Sequence, residues 1–142
     1  MKTERPHRQL GIRVTPLRDD LIGLFINNPG TAFSESELNE YVNGEFDRTS
    51  VYRSIKMLLK KVFIHKVICE NGVLKYALTL KNNVIRNHPH FQCTKCGKVS
   101  CLTQQKVPEL MLPDGYQVSA INLLIRGVGP CCKTRSAAEN QL

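Results

Sequence analysis

Thr49-Ser50-Val51-Tyr52-Arg53-Ser54-Ile55-Lys56-Met57-Leu58-Leu59-Lys60 is the stretch that decides the fold. Val51, Ile55, Leu58 and Leu59 recur at i, i+4, i+7 and i+8, the spacing that stacks side chains on one helix face. Arg53, Lys56 and Lys60 leave from the opposite face, with Tyr52 at its edge. A helix from about Thr49 to Lys60 is expected, one side in a core and the other a row of cations. Downstream, Phe63 to Cys69 and Val73 to Leu80 are strand-like runs around Asn71-Gly72. That dipeptide is a strong hairpin signal, because both residues tolerate the positive φ of a tight turn. Upstream, Thr15-Pro16 opens a helix carrying Leu17, Leu21, Leu24 and Phe25, which Asn27-Asn28-Pro29-Gly30 stops. Ser34 and Glu37 have capping-box spacing before a shorter helix whose apolar stripe is Leu38, Tyr41 and Val42. Three short helices followed by a hairpin make a winged helix, in which the last helix enters the major groove and the wing lies along the backbone.

The charge pattern supports that geometry. Arg48, Arg53, Lys56, Lys60, Lys61 and Lys66 fall in a segment without an acid, whereas Glu35, Glu37, Glu40, Glu45 and Asp47 gather just upstream. Segregation of this kind points one face at a polyanion, although a merely solvated face is the usual fate of a charge run. Over the whole chain, 20 Lys+Arg against 12 Asp+Glu give +8, and 42% hydrophobic residues allow a folded core within 142 residues. No apolar run approaches a membrane span, and the basic segment Met1 to Arg18 does not read as a secretory signal. Membrane and secreted classes are therefore excluded, and a cytoplasmic location is expected.

Five of the six cysteines lie at or after Cys93. In a reducing compartment such thiols serve as metal ligands more often than as disulfides. Cys93-Thr94-Lys95-Cys96-Gly97-Lys98 is a C-x-x-C turn whose two thiolates can reach one tetrahedral ion. The same spacing also serves redox chemistry. The second pair, Cys131-Cys132, favours the metal. Between the pairs a strand is expected from Val99 to Leu102, then a short helix opening at Pro108, a Pro113-Asp114-Gly115 turn and a strand from Tyr116 to Arg126. A module of this size lacks the core to stand alone, so metal and self-association are the natural supports. Val118, Leu123 and Ile125 alternate as a strand pairing across a twofold axis would require. His88 and His90 flank Pro89 beside the C-x-x-C and are candidate ligands of a second metal. Cys101 and Cys69 read as packed, structural thiols.

These blocks together resemble the ferric uptake regulator family. The likeness rests on Arg13-x-Thr15-x-x-Arg18, on Thr49-Ser50-Val51-Tyr52-Arg53-Ser54-Ile55, and on His88-Pro89-His90-Phe91-Gln92-Cys93-Thr94-Lys95-Cys96-Gly97-Lys98-Val99, in that order, and extends over about Pro6 to Lys133. It implies an α+β protein, an N-terminal winged helix-turn-helix followed by a small α/β dimerisation domain. The corresponding division is 1–84 for DNA binding, 85–89 as hinge, 90–134 for dimerisation and metal binding, and 135–142 as a flexible tail. It further implies a homodimeric transcriptional regulator, a repressor, acting on double-stranded operator DNA, with no membrane and no small organic substrate. Arg13, Arg18, Ser50, Tyr52, Arg53, Lys56 and Lys60 would meet the DNA. Structural Zn2+ would sit on Cys93, Cys96 and Cys132, with Cys131 as fourth ligand. A regulatory Fe2+, Mn2+ or Zn2+ would use His88, His90 and Glu109.

The chain departs from the family pattern at defined places. The first cysteine of the family's second C-x-x-C falls on Gly129, and positions that usually supply sensory ligands hold Ala32, Ala77 and, near the last strand, Ile121. Two other regulatory readings stay open, a peroxide sensor that oxidises zinc thiolates and a metal-insensitive zinc-ribbon adaptor for RNA or protein. An enzyme is not expected: the His-x-Glu and Pro-Cys-x-x-Cys of zinc deaminases are missing, and no Ser/His/Asp or paired-carboxylate arrangement is evident.

Overall fold

A computed structural model describes residues 10–79 and 88–132. Helix α1 (Pro16–Asn27) begins where the hydroxyl of Thr15 accepts from the N–H of Arg18 at 3.3 Å, with Pro16 in its first turn. Strand β1 (Thr31–Ser34) follows and ends in the capping box of helix α2 (Glu35–Tyr41). There Ser34 Oγ accepts from the N–H of Glu37 at 3.1 Å, and Glu37 Oε1 accepts from the N–H of Ser34 at 3.3 Å. Helix α3 (Arg48–Lys60) starts one residue before the expected Thr49, because Asp47 is its cap: Oδ1 accepts from the N–H of Ser50 at 2.7 Å. Strands β2 (Ile64–Ile68) and β3 (Leu74–Leu78) form the wing. Asn71 and Gly72 both take positive φ at its tip, and the N–H of Cys69 donates to the carbonyl of Val73 at 2.8 Å.

Three further strands, β4 (His90–Cys93), β5 (Val99–Cys101) and β6 (Leu124–Gly127), complete one six-stranded sheet in the order β2-β3-β1-β5-β4-β6. Strand β1 joins the halves, pairing Phe33 with Tyr76 on one side and Ala32 with Val99 on the other. No local signal predicts a strand here, yet Thr31–Ser34 carries Ala32 and Phe33 to opposite faces of the sheet. The helices pack on the face that bears Phe33, Ile64 and Tyr76, around Leu21, Phe25, Leu38, Val51, Ile55 and Leu58, all at most 1% exposed. Phe25 and Phe33 meet edge-to-face at 5.9 Å. A second, smaller cluster of Ala32, Val67, Cys69, Ala77 and Val99, with Cys101 against it, occupies the other face.

Several expectations need correction. Tyr41 is half exposed, leaving Leu38 and Val42 as the buried side of α2. Residues 103–123 form neither the short helix expected at Pro108 nor a strand from Tyr116; the strand is confined to Leu124–Gly127. Leu110, Met111, Tyr116 and Val118 are all exposed there, Met111 at 98%. An amphipathic segment folds only when something covers its apolar side, and among the described residues nothing covers these four. The expected tail 135–142 lies outside the described residues, as does the hinge 85–89 apart from His88 and Pro89.

Candidate DNA interface and metal centres

Helix α3 turns Val51, Ser54, Ile55 and Leu58 inward, so its remaining side faces solvent. Tyr52, Arg53, Lys56 and Lys60 are all exposed, and Ser50 is partly covered. The ammonium of Lys56 lies 4.8 Å from the centre of the Tyr52 ring, a cation–π contact that ties the aromatic edge to the cationic row. Arg18 is half-buried at the start of α1, where its guanidinium donates to the carbonyl of the exposed Arg13 at 3.0 Å. Of the seven residues expected to meet DNA, Ser50, Tyr52, Arg53, Lys56 and Lys60 thus lie on α3, Arg18 in the first turn of α1 and Arg13 just before it.

Cys93, Cys96, Cys131 and Cys132 converge, their sulfurs all within 4.8 Å of one another. Cys96 and Cys131 sulfurs lie 3.4 Å apart, and Cys131 and Cys132 sulfurs 3.7 Å apart. Tetrahedral zinc with bonds of about 2.3 Å separates its sulfurs by roughly 3.8 Å, so the four thiols fit such a site. Gly97, at φ +77°, closes the C-x-x-C turn, as its N–H donates to the carbonyl of Cys93 at 2.9 Å. Backbone N–H groups of Gly129, then of Cys96 and Lys95, pull the Cys93 thiol down to about 6. Hydrogen bonds with Cys96 and Cys132 push Cys131 up to about 12. The Cys93 thiol is held down while those of Cys131 and Cys132 are held up, a conflict that a bound cation removes. The adjacent pair Cys131-Cys132 thus brings two further sulfurs to the cluster, and a Cβ at Gly129 would lie 3.4 Å from the Phe91 ring.

A second convergence unites His88 and His90 with two residues that the sequence reading did not single out as ligands. Donor atoms of His65, His88, His90 and Cys101 lie within 4.8 Å of one another. The Nε2 atoms of His65 and His90 are 3.5 Å apart, and Cys101 Sγ is 3.6 Å from His65 Nε2. His88 stacks edge-on against both other rings, at 5.0 Å from His65 and 4.5 Å from His90. Burial, then the charge of His88, lowers His65 to about 4; burial and the charges of His88 and His65 do the same to His90. Burial pushes the Cys101 thiol up to about 12. Cys101, read from sequence as a packed core thiol, is therefore a half-buried member of a polar cluster. Glu109 is exposed in the 103–123 segment and is not among the converging donors. Ala32 and Ala77 are buried at 2% and 0% in the apolar cluster beside these donors, and supply none themselves. Strand alternation was the missed signal: His65 shares a face with Val67 and Cys69, and Cys101 shares one with Val99.

The family model of the ferric uptake regulator family matches residues 9–123. The chain belongs to the ferric uptake regulator family. A search of curated protein sequences finds no match. Among solved structures, the ferric uptake regulator of Vibrio cholerae is similar with a TM-score of 0.60 at 17% identity, over 87% of this chain and 96% of that one. A zinc uptake regulator complexed with zinc and DNA gives a TM-score of 0.64 at 20% identity, over 96% of this chain and 93% of that one. The Helicobacter pylori ferric uptake regulator, described as having three functional metal binding sites, gives 0.56 at 17% identity, over 89% and 86%. These likenesses establish the fold, a winged helix joined to a second α/β unit. The ferric uptake regulator family is one of DNA-binding, metal-binding transcriptional regulators, and its members are not enzymes. Among the described residues, no helix is long and apolar enough to cross a membrane.

Proposed function

We propose that this chain is a cytoplasmic, homodimeric repressor that reads double-stranded operator DNA through α3. The observation that carries the proposal is the single-signed exposed row of Arg53, Lys56 and Lys60 on a helix whose other side is sealed in the core. Phosphate neutralisation by these cations and by Arg13 and Arg18 supplies affinity, whereas Tyr52 and Arg53, with Ser50, read base edges. Residues 1–84 act as the reading unit, 85–89 as the hinge and 90–134 as the dimerisation unit. Structural zinc is held by Cys93, Cys96, Cys131 and Cys132, whose sulfur spacing fits it. The exposed Leu110, Met111, Tyr116 and Val118 support self-association, because an apolar run of this kind gains free energy only when covered.

The test is a gel shift on duplexes selected from a randomised pool. Arg53→Ala is expected to weaken binding to the selected duplex by roughly ten- to a hundredfold, as loss of a base-reading arginine does, while sedimentation still shows the dimer. Unchanged affinity for the selected duplex would refute the assignment of α3 as the reading helix.

A further inference from the structure

We propose that His65, His88, His90 and Cys101 form a second, four-donor metal site that takes Zn2+ in preference to Mn2+ or Fe2+. The inference deepens the regulatory reading above, since it concerns the ion to which DNA binding would be coupled. Three observations carry it, and each stands apart from the four-thiol cluster.

The first is spacing. Zinc bonds of about 2.0–2.1 Å to nitrogen and 2.3 Å to sulfur place tetrahedral donors roughly 3.3 Å apart for two nitrogens and 3.6 Å for nitrogen and sulfur. The corresponding separations are 3.5 Å between the Nε2 atoms of His65 and His90, and 3.6 Å between His65 Nε2 and Cys101 Sγ. His88 belongs to the same cluster, with a ring nitrogen within 4.8 Å of the other donors.

The second is orientation. His65 Nδ1 lies 3.3 Å from the hydroxyl of Thr79, which leaves Nε2 as the nitrogen turned towards the other donors. Ligating histidines are held by this kind of contact through their outer nitrogen. Register explains how the donors meet. His90 is paired with Cys101 across β4 and β5, and His65 with Ala77 across β2 and β3. Ala32 and Ala77 lie on the same helix-free face, in the apolar cluster beside His65.

The third is donor chemistry. Three imidazoles and one thiol, with no carboxylate among them, form a set that suits zinc, whereas manganese favours carboxylate and water oxygens. Affinity for a common nitrogen and sulfur set also rises from manganese through iron towards zinc. Binding would release the Cys101 proton and join the wing strand β2 to β4 and β5 of the other half.

The experiment uses the full-length protein with zinc loaded on its four-thiol site, titrated with Co2+ as a spectroscopic substitute for zinc. One further equivalent per chain is expected, with tetrahedral ligand-field bands and a thiolate-to-cobalt charge-transfer band, bleached by Zn2+ and untouched by equimolar Mn2+ or Fe2+. Cys101→Ser should abolish the charge-transfer band, His65→Gln should weaken cobalt binding at least tenfold, and Thr79→Val should weaken it by roughly tenfold through lost orientation. All three variants should keep one zinc on the four-thiol site, which reports that the chain is folded. Absence of a second equivalent, a band indifferent to Cys101→Ser, or displacement of cobalt by Mn2+ would each overturn the proposal. The DNA reading fails separately: a duplex selected from a randomised pool would then stay unbound while the cobalt spectrum is intact.

Discussion

The two donor clusters differ in where their ligands come from. The four-thiol cluster is local: Cys93 and Cys96 lie on one turn and Cys131 and Cys132 on another, all within the back half. The His65, His88, His90 and Cys101 cluster draws on β2 of the wing, on the approach to β4 and on β5. A local set can stabilise one half without informing the other. A set that spans both halves makes their relative position part of the binding equilibrium. One arrangement is suited to stapling and the other to signalling, although both have four donors.

The comparison breaks first if the local set is not a staple. Cys93→Ser is expected to have the largest effect: the zinc on the four-thiol site becomes removable by mild chelation, and Tm falls by about 10 °C or more. That drop corresponds to a few kcal/mol of lost metal-linked folding energy at roughly 2–4 °C per kcal/mol. Atomic absorption after dialysis and a thermal scan measure both, and retention of zinc with an unchanged Tm would show that the fold does not depend on this cluster. A smaller effect is expected from moving one sulfur. A Cβ at Gly129 would contact the Phe91 ring at 3.4 Å and Cys131 Sγ at 3.6 Å, so a side chain fits there. Gly129→Cys combined with Cys131→Ser should keep one zinc per chain with a Tm within a few degrees of the parent. Loss of zinc in that double variant would mean that the adjacent pair is required as it stands.

Acid weakens metal sites by protonating ligands, so the comparison also needs a measure of acid sensitivity that has no metal in it. Burial alone would raise the Glu37 carboxyl, but the hydrogen bond and charge of Lys75 at 2.9 Å, with the bonds from Ser34, hold it below its ordinary value. A lowered folded-state value means that this group contributes stability above about pH 4.5, lost as pH falls through the lowered value. Glutamine keeps the capping box, so Glu37→Gln should cost only the Lys75 ion pair, roughly 0.2–1 kcal/mol at neutral pH, and should flatten the stability curve below pH 5. A curve as steep as the parent's in urea titrations would assign the acid sensitivity to other groups.

Much of the winged helix was legible because its signals are local. Thr15-Pro16, the Ser34–Glu37 box and Asn71-Gly72 fix their own backbone whatever surrounds them, and the α3 stripe needs only its own periodicity. The C-x-x-C was legible for the same reason. What the sequence withheld depends on pairing between distant strands. Thr31–Ser34 becomes a strand because β3 and β5 flank it, and His65 becomes a candidate ligand because register carries it to residues 25 and 36 positions away. The segment 103–123 departs in the opposite sense: its apolar residues predict a helix and a strand, but among the described residues nothing covers Leu110, Met111, Tyr116 and Val118.

The shared strand β1 has a further consequence. Two register pairs, Thr31 with Ser100 and Ala32 with Val99, together with the bond from the Cys101 N–H to the Gly30 carbonyl at 2.7 Å, close the seam between the halves. Parting them would strip an interior ladder and create two naked edges at once, one on each half. Unpaired edges of this kind recruit other chains. Any form of the protein in which the wing swings away from the back half therefore carries an aggregation hazard that the closed form conceals, and storage conditions that keep the seam shut should preserve its solubility.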